Sequence, residues 1–183
     1  GALGELWRFR QVQPSVGMAG PRLRYADDSI QSSRRRFPTL ATLFTESTIV
    51  QEYWPGLPWF GRYYMADRPV DETQAVDWIV GAAMFVRREV YEQIGGLDEG
   101  FFMYSEELDW CRRAAEAGWQ VVYDPNAEVM HYEGRSSEQV VAARHIRFFS
   151  SRVRYTRKYH VQLASSCLRV WLLVTFVWQW LRE

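Results

Sequence analysis

The sequence contains little cysteine and no excess of charge of either sign. Its two cysteines, Cys111 and Cys167, lie far apart and lack the spacing of a metal site. Neither a disulfide framework nor a cysteine-bound metal is expected, and a reducing compartment is the default. Lysine plus arginine and aspartate plus glutamate both number 22, so the net charge gives no argument for a nucleic-acid partner.

Acidic residues are missing from the C-terminal part of the chain. None lies between Glu138 and Glu183, and this stretch is instead rich in basic residues. They include Arg144, Arg147, Arg152, Arg154, Arg157, Lys158 and Arg169. A cationic helix is compatible with nucleic acid, but the rest of the chain is slightly acidic. No nucleic-acid partner is therefore predicted.

The tail also lacks an apolar run long enough to cross a membrane. Residues 170–178 are very apolar, but this run has nine residues, whereas a membrane-spanning helix needs ~20. Three interpretations stay open: a helix packed on the domain, an amphipathic helix in the plane of the membrane, or a span cut off at Glu183. Trp171, Trp178 and Trp180, together with the preceding basic residues, favour association with a membrane surface.

The hydrophobic pattern predicts strands that alternate with helices. Residues 77–86 form a nearly continuous apolar run, which predicts a strand buried on both faces. Residues 105–117 predict a helix, with Ser105 as N-cap, glutamates in the first turn and Gly118 at the end. Other helices are predicted over 2–11, 39–50, 88–94 and 136–158, and other strands over 16–19, 120–123 and 128–131.

This order of elements predicts an α/β fold with a sheet flanked by helices. The length suffices for one domain with a core, and no internal repeat is present. Residues 1–138 are assigned to the body of the domain, and residues 139–183 to a basic helix followed by an apolar tail.

Three carboxylates cluster at the start of the helix predicted over 105–117. Glu106 and Asp109 lie roughly on one helical face, because each residue advances the helix by ~100°. Asp109 has arginines at i+3 and i+4, so a surface ion pair is its simplest interpretation. Glu107 has no basic partner at helical spacing and is freer to act as a general base. Acidic residues also stabilise helix starts, so a structural role stays open.

A single histidine, His131, follows the last predicted strand. The polar turn at residues 133–137 comes next, and strand ends are where ligands bind in open α/β sheets. As a metal ligand His131 would need carboxylates from elsewhere in the chain. A purely structural role is the alternative.

A series of segments carries a family resemblance. The segments are GAAMFVRR at 81–88, GGLDE at 95–99, FFMYSEELDWCR at 101–112, Gly118-Trp119, His131, and upstream and downstream stretches at 16–23, 29–38 and 157–160. In this order they resemble family-2 glycosyltransferases, and most of all the bacterial rhamnosyltransferase-like members. The resemblance covers almost the whole chain.

The resemblance implies a GT-A-like mixed sheet flanked by helices and inverting transfer of a sugar from a nucleotide-sugar donor. The acidic motif of the family falls on Glu106 and Glu107, with the catalytic base at Glu107. That base is often Asp in the family, which leaves Asp109 as a rival, and the metal-coordinating histidine of some members falls on His131. Substrate contacts are implied for Trp78, Gly81, Ala82, Tyr104 and Arg135.

The resemblance also implies partners and a location. A divalent cation, Mg²⁺ or Mn²⁺, is expected in the full-length enzyme. The expected acceptor is a hydroxyl of a glycan or of a lipid-linked sugar in cell-envelope polysaccharide synthesis, at the cytoplasmic, inner face of the cell membrane.

The nucleotide-binding half of the family domain and its Asp-x-Asp motif are not found in this sequence. The GT-A domain is therefore expected to be incomplete and the isolated chain to be inactive. A carbohydrate-binding or membrane-docking fragment without chemistry is the alternative.

Overall fold

The structure is a computed structural model that describes residues 1–132 and 141–182. The helices in this part of the chain are α1 (Ala2–Val12), α2 (Leu40–Thr45), α3 (Ile49–Tyr53), α4 (Pro58–Tyr63), α5 (Arg88–Ile94), α6 (Glu106–Glu116), α7 (Val141–Tyr159) and α8 (Gln162–Trp180). The strands are β1 (Val16–Arg24), β2 (Ile30–Gln31), β3 (Arg34–Arg35), β4 (Gln74–Val76), β5 (Trp78–Ile79), β6 (Phe85–Val86) and β7 (Gln120–Met130).

The main sheet is mixed, with β1 and β7 at its centre. These two strands run parallel from the pair Val16–Gln120 to the pair Arg24–Met130. β2 and β6 pair antiparallel with β1, and β4 pairs antiparallel with β7. A second, two-stranded sheet joins β3 to β5. The predicted α/β class, a mixed sheet flanked by helices with a C-terminal helical tail, is confirmed.

β1 is buried on both faces because other elements pack closely on each side. A Cβ added at Gly17 would lie 2.7 Å from the Val90 side chain, and one at Gly20 would lie 2.6 Å from the Ile79 side chain. Since side chains at these positions would clash, the two glycines allow α5 and β5 to approach the strand. The result is a parallel centre that is shielded from water on both faces, as parallel sheets require.

The single strand predicted over residues 77–86 is wrong. The chain forms β5 and β6 there, with a turn at 81–83 between them. β5 pairs with β3, whereas β6 pairs with β1, so the two strands belong to different sheets. Gly81 and Ala82 are exposed. Gly81 lies beside the first turn of α6, where an added Cβ would be 3.4 Å from Glu107, so it borders a helix and not a neighbouring strand.

Two further boundaries differ from prediction. The strands expected over 120–123 and 128–131 are one strand, β7, with an irregularity after Asp124. The Asp124 carboxylate accepts hydrogen bonds from the backbone and side chain of Asn126. Residues 124–126, which separate the two predicted strands, therefore lie inside the single strand β7. The helix expected over 39–50 is two helices, because the chain turns at Ser47 with φ of 55°.

The predicted helix over 105–117 is confirmed as α6, which ends before Gly118 at φ of 89°. The expectation that Ser105 caps it through its side chain is wrong. Ser105 has φ of 65° and makes no side-chain capping bond. It follows Tyr104 at φ of 70°, and two consecutive left-handed residues are a strained way to enter a helix. The strain sets the direction in which the first turn of α6 points.

The C-terminal helices α7 and α8 form an antiparallel pair joined by a short turn. The basic helix predicted over 136–158 corresponds to α7, and residues 136–140 of that prediction lie outside the described residues. Phe149, Leu168 and Leu172 form a small core between the two helices, and Phe44 of α2 packs against it. The tail therefore lies on the body of the domain.

α8 is longer than the apolar run that predicted it. Its 19 residues make it long and apolar enough to cross a membrane, although only 22% of the qualifying stretch is buried. The buried side chains are Ser165, Leu168, Leu172 and Thr175. Much of its apolar surface consequently faces outward.

Candidate active site

A cavity of about 760 Å³ lies between the first turn of α6, the turn after β5, the end of β7, and helices α2 and α7. Its walls combine aromatic and aliphatic side chains with several charged or titratable groups. The ionisable lining residues are Arg35, Glu46, Glu106, Glu107, His131, Arg144, His145 and Arg152. A cavity of this size holds a drug-sized or disaccharide-sized ligand.

Glu107 occupies the wall of this cavity in the first turn of α6. Burial and, to a smaller extent, the nearby Glu106 carboxylate raise the pKa of its carboxyl to about 7, although backbone hydrogen bonds, including that of Gly81, act in the opposite direction. Its Oε2 atom is buried and has no hydrogen-bond partner among the described residues. An unpartnered carboxylate oxygen is costly to bury, which is typical of a group whose partner is a ligand.

Glu106 lines the same cavity beside Glu107. Burial raises the pKa of its carboxyl, and its Oε2 is likewise buried without a partner within the described part of the chain. Two neighbouring carboxyl groups in one cavity resist simultaneous ionisation, because like charges repel at low dielectric. The Glu106 carboxylate therefore disfavours ionisation of Glu107, in addition to the effect of burial.

Asp109 is separated from this pair by its partners. Its side chain is fully buried and forms ion pairs with Arg113 at 2.8 Å and Lys158 at 2.6 Å. The hydroxyl of Tyr159 donates to it at 2.7 Å. The predicted ion pair with the arginine at i+4 is present, but its expected location at the surface is wrong, because α7 covers the carboxylate. Asp109 does not line the cavity; it fastens α6 to the end of α7.

His131 lies in the cavity wall at the end of β7. Its Nδ1 is 2.9 Å from Oε1 of Gln31, and its backbone N–H donates to the Arg24 carbonyl. Among residues 1–132 and 141–182, no three histidine, cysteine, aspartate or glutamate side chains form a group that could hold a metal ion. The residues described do not by themselves provide a ligand set for the expected cation.

The predicted substrate-binding residues converge on the same cavity. Trp78, Gly81, Ala82 and Tyr104 all line it. The indole N–H of Trp78 donates to the Arg36 carbonyl at 3.0 Å, which fixes the ring in the wall. Arg135 lies outside the described residues.

A buried ion pair on the opposite wall was not predicted. Arg152 of α7 donates to the backbone carbonyl and the carboxylate of Glu46, and the hydroxyl of Tyr64 donates to the same carboxylate at 2.8 Å. These residues join α2, α4 and α7 around the cavity. A signal existed in α7, where Phe148, Phe149, Arg152 and Tyr155 recur at helical spacing and all line the cavity.

A mixed α/β sheet with paired carboxylates at a helix start beside a cavity defines part of a GT-A-type domain. A sequence model described as glycosyltransferase like family 2 matches residues 23–147, and the chain belongs to this family.

Curated relatives agree with this assignment. The chain is 36% identical over 136 residues to N-acetylglucosaminyl-diphospho-decaprenol L-rhamnosyltransferase of Mycobacterium tuberculosis, covering 72% of the chain and 44% of the relative. It is 30% identical over 115 residues to rhamnosyltransferase WbbL of Escherichia coli, covering 56% of the chain and 44% of the relative. A shorter match, 51% identical over 39 residues, joins 21% of the chain to 13% of a low-salt glycan biosynthesis hexosyltransferase of Haloferax volcanii. The chain spans less than half the length of these relatives.

Proposed function

We propose that this chain forms the acceptor side of an inverting glycosyltransferase, in which Glu107 is the general base. The transfer moves a sugar from a nucleotide-sugar donor to a hydroxyl of a glycan or lipid-linked acceptor. The observation that carries the proposal is the buried carboxylate oxygen of Glu107, which lies in the wall of a ligand-sized cavity and has no hydrogen-bond partner in residues 1–132 or 141–182.

The chemistry follows from where that oxygen lies. An acceptor hydroxyl in the cavity donates a hydrogen bond to Glu107. As the hydroxyl oxygen attacks the anomeric carbon opposite the leaving group, the new C–O bond forms and the bond to the nucleoside diphosphate breaks. The proton passes to Glu107, and the anomeric configuration inverts. A base with a pKa of about 7 is well matched to proton transfer near neutral pH.

The burial of Asp109 supports Glu107 over its rival. A carboxylate that already accepts from an arginine, a lysine and a tyrosine has no geometry left for an acceptor hydroxyl. Glu106 shares the cavity and supplies the charge that raises the pKa of Glu107. We assign Glu107 the proton transfer and Glu106 a tuning role.

The names of the relatives support a cell-envelope acceptor. The mycobacterial relative is named for a sugar carried on diphospho-decaprenol, which is a lipid-linked acceptor. The proposal extends that class of acceptor to this chain.

We also propose that the full-length enzyme uses a divalent cation, and that among the described residues His131 contributes a ligand to it. Such a cation would neutralise charge on the departing diphosphate. Because the described residues do not group three ligands, we expect the 183-residue chain alone to show no turnover. A catalytically incomplete, sugar-binding fragment is the second candidate, and the missing ligand group favours it for the isolated chain.

We also propose that α8 contacts an anionic membrane surface at the cytoplasmic face. Five exposed aliphatic side chains of α8 recur on the face opposite the buried one: Leu163, Val170, Leu173, Val174 and Val177. Arg169 is the one charged residue between Gln162 and Trp180. The neighbouring α7 exposes Arg147 and Arg157, which complement anionic headgroups.

The test of the catalytic assignment is Glu107→Gln in a protein that carries this chain and transfers sugar. The amide keeps the shape but cannot accept the proton, so turnover should fall by ~10²–10⁴ while donor binding stays intact. Glu116→Gln, an exposed change on the same helix, is the matched control. Wild-type turnover in Glu107→Gln would remove the base from the proposal.

A further inference from the structure

Two cationic or polar donors in the cavity have no partner among the residues that the structure describes. Arg144 and His145 both line the cavity from the first turns of α7. The side chain of neither residue forms an ion pair or hydrogen bond with residues 1–132 or 141–182. An arginine that lines a cavity without a carboxylate partner is a typical anion-binding group, because its planar guanidinium matches phosphate oxygens.

The other basic groups of the cavity are already engaged. Arg35 donates to the Ser32 hydroxyl at 2.8 Å, and Arg152 is paired with Glu46. His131 contacts Gln31. Among the described basic residues of the cavity, Arg144 and His145 therefore offer an incoming anion side-chain donors without a partner in residues 1–132 or 141–182.

We infer that Arg144 and His145 bind the diphosphate of a lipid-linked acceptor. The inference rests on the proposed function, since it assigns the acceptor class of the same cavity. An acceptor of this class has a sugar at one end, a diphosphate in the middle and an apolar chain at the other end. The acid pair, the Arg144–His145 pair and the exposed apolar face of α8 match these three regions.

The order of these regions can be followed through contacts. The ring of Tyr104, just before the acid pair, packs edge-on against Phe148 at 5.6 Å between centroids. Phe148 lies one helical turn from Arg144. An acceptor sugar beside Glu107 would therefore be followed by its diphosphate at Arg144 and His145.

The apolar region adjoins the cavity. Gln179, in the last turn of α8, lines the cavity. Its neighbours Trp178 and Trp180 are exposed, by 45% and 74%. A prenyl chain that leaves the cavity past Gln179 meets the exposed apolar face of α8, where its burial from water is favourable.

The experiment measures binding of farnesyl diphosphate to the 183-residue chain by calorimetry. Arg144→Ala and His145→Ala should each weaken binding about tenfold, since each removes a charge-assisted or polar hydrogen bond to phosphate. Arg144→Lys should retain more affinity than Arg144→Ala. Arg157→Ala, an exposed change on the same helix outside the cavity, is the matched control and should bind as the wild type does.

Three further probes identify the source of the diphosphate. Farnesol should bind more weakly than farnesyl diphosphate and be insensitive to Arg144→Ala. Inorganic diphosphate should also bind more weakly, because it lacks the apolar chain. Uridine and thymidine diphosphates should not compete. If a nucleoside diphosphate competes and its affinity falls in Arg144→Ala, the pair serves the donor and the inference is overturned.

The diphosphate site at Arg144 and His145 and the catalytic role of Glu107 can be disproved independently. Glu107→Gln should bind farnesyl diphosphate with unchanged affinity, because Glu107 contacts the sugar and not the diphosphate. Unchanged binding in both Arg144→Ala and His145→Ala overturns the diphosphate site, whatever Glu107→Gln does to turnover. Full turnover in Glu107→Gln overturns the base and leaves the diphosphate site standing.

Discussion

Gly81 and Glu107 lie in van der Waals contact range, since a Cβ added at Gly81 would be 3.4 Å from the Cβ of Glu107. The turn after β5 therefore forms one side of the space around the proposed base. Gly81 also contributes a backbone hydrogen bond that lowers the pKa of the Glu107 carboxyl. Because Gly81 has no side chain, the Glu107 carboxylate stays open to the cavity, and the backbone of Gly81 holds the carboxylate through this hydrogen bond.

The first prediction concerns this contact. Gly81→Ala should be tolerated, because its methyl group reaches only an ordinary contact distance. Gly81→Val should lower turnover by at least about tenfold, since a branched side chain occupies the space beside the carboxylate and small misplacements are costly in catalysis. Steady-state kinetics and thermal unfolding of both variants are the measurements. Equal turnover in Gly81→Ala and Gly81→Val would show that position 81 does not shape the space around Glu107.

The second prediction concerns Asp109 and the stability of the fold. Asp109→Ala removes a fully buried carboxylate from two ion pairs and a tyrosine. The free energy of unfolding should fall by about 3 kcal/mol, near the low end for breaking buried pairs because Arg113 and Lys158 are partly exposed. Urea unfolding of the chain measures this. The control Glu116→Ala, which removes an exposed pair with Arg112, should change stability much less.

An outcome with unchanged stability in Asp109→Ala and abolished turnover would contradict the structural role. Asp109 would then be the base, and Glu107 the residue that tunes it.

The third prediction concerns pH. The pKa of the Glu107 carboxyl is raised in the folded chain from 4.5 to about 7, so the folded state holds a proton that the unfolded state has released. Stability from this group is therefore present at low pH and lost as pH rises from about 4.5 to about 7, by up to about 3 kcal/mol. Glu107→Gln should flatten that part of the stability profile, measured by urea unfolding at several pH values.

Activity should follow the opposite trend. A general base must be ionised, so turnover should rise through pH 7 before other groups limit it. A stability profile of Glu107→Gln that parallels the wild type from pH 4.5 to 7 would show that the carboxyl titrates normally.

The fourth prediction concerns the membrane. The chain should bind anionic vesicles, and the triple change Leu173→Ser, Val177→Ser and Trp180→Ser should remove the binding that persists at high salt. These side chains are exposed, so the fold should survive, whereas truncation before Leu168 would remove the core shared with α7. Vesicle flotation at low and high salt measures the effect, since salt screens arginines but not apolar contacts.

Ile146→Ser is the matched control, because Ile146 is an exposed aliphatic side chain of α7. It should leave binding unchanged. If the wild-type chain does not bind anionic vesicles at low salt, the proposed contact between α8 and a membrane surface is wrong.

Local pattern predicted much of the secondary structure. α6 was predicted from its acidic first turn and the glycine after it, and both features are local. β5 and β6 were joined in error, because a run of small and apolar residues has the same pattern in a buried strand and in a turn packed against a helix. Glu107 was predicted to be the catalytic base from a family motif and from the absence of a basic neighbour at helical spacing.

Contacts between distant segments were not predictable in this way. The partners of Asp109 include Lys158 and Tyr159, which no spacing rule connects to it. The length of α8 was also missed, because its first two turns contain small and polar residues that continue a helix without adding to the apolar run. Hydrophobic periodicity reports one face of one element, and these features depend on how elements meet.

The Arg152–Glu46 pair joins residues that are 106 positions apart, and this separation has a consequence for how the protein is made. Contacts between distant segments form only after a long loop of chain has closed. On the ribosome, the wall that α7 provides is therefore added after the acid pair has already been synthesised and exposed to water. The cavity around the acid pair therefore takes its final shape only when α7 docks against the end of α2.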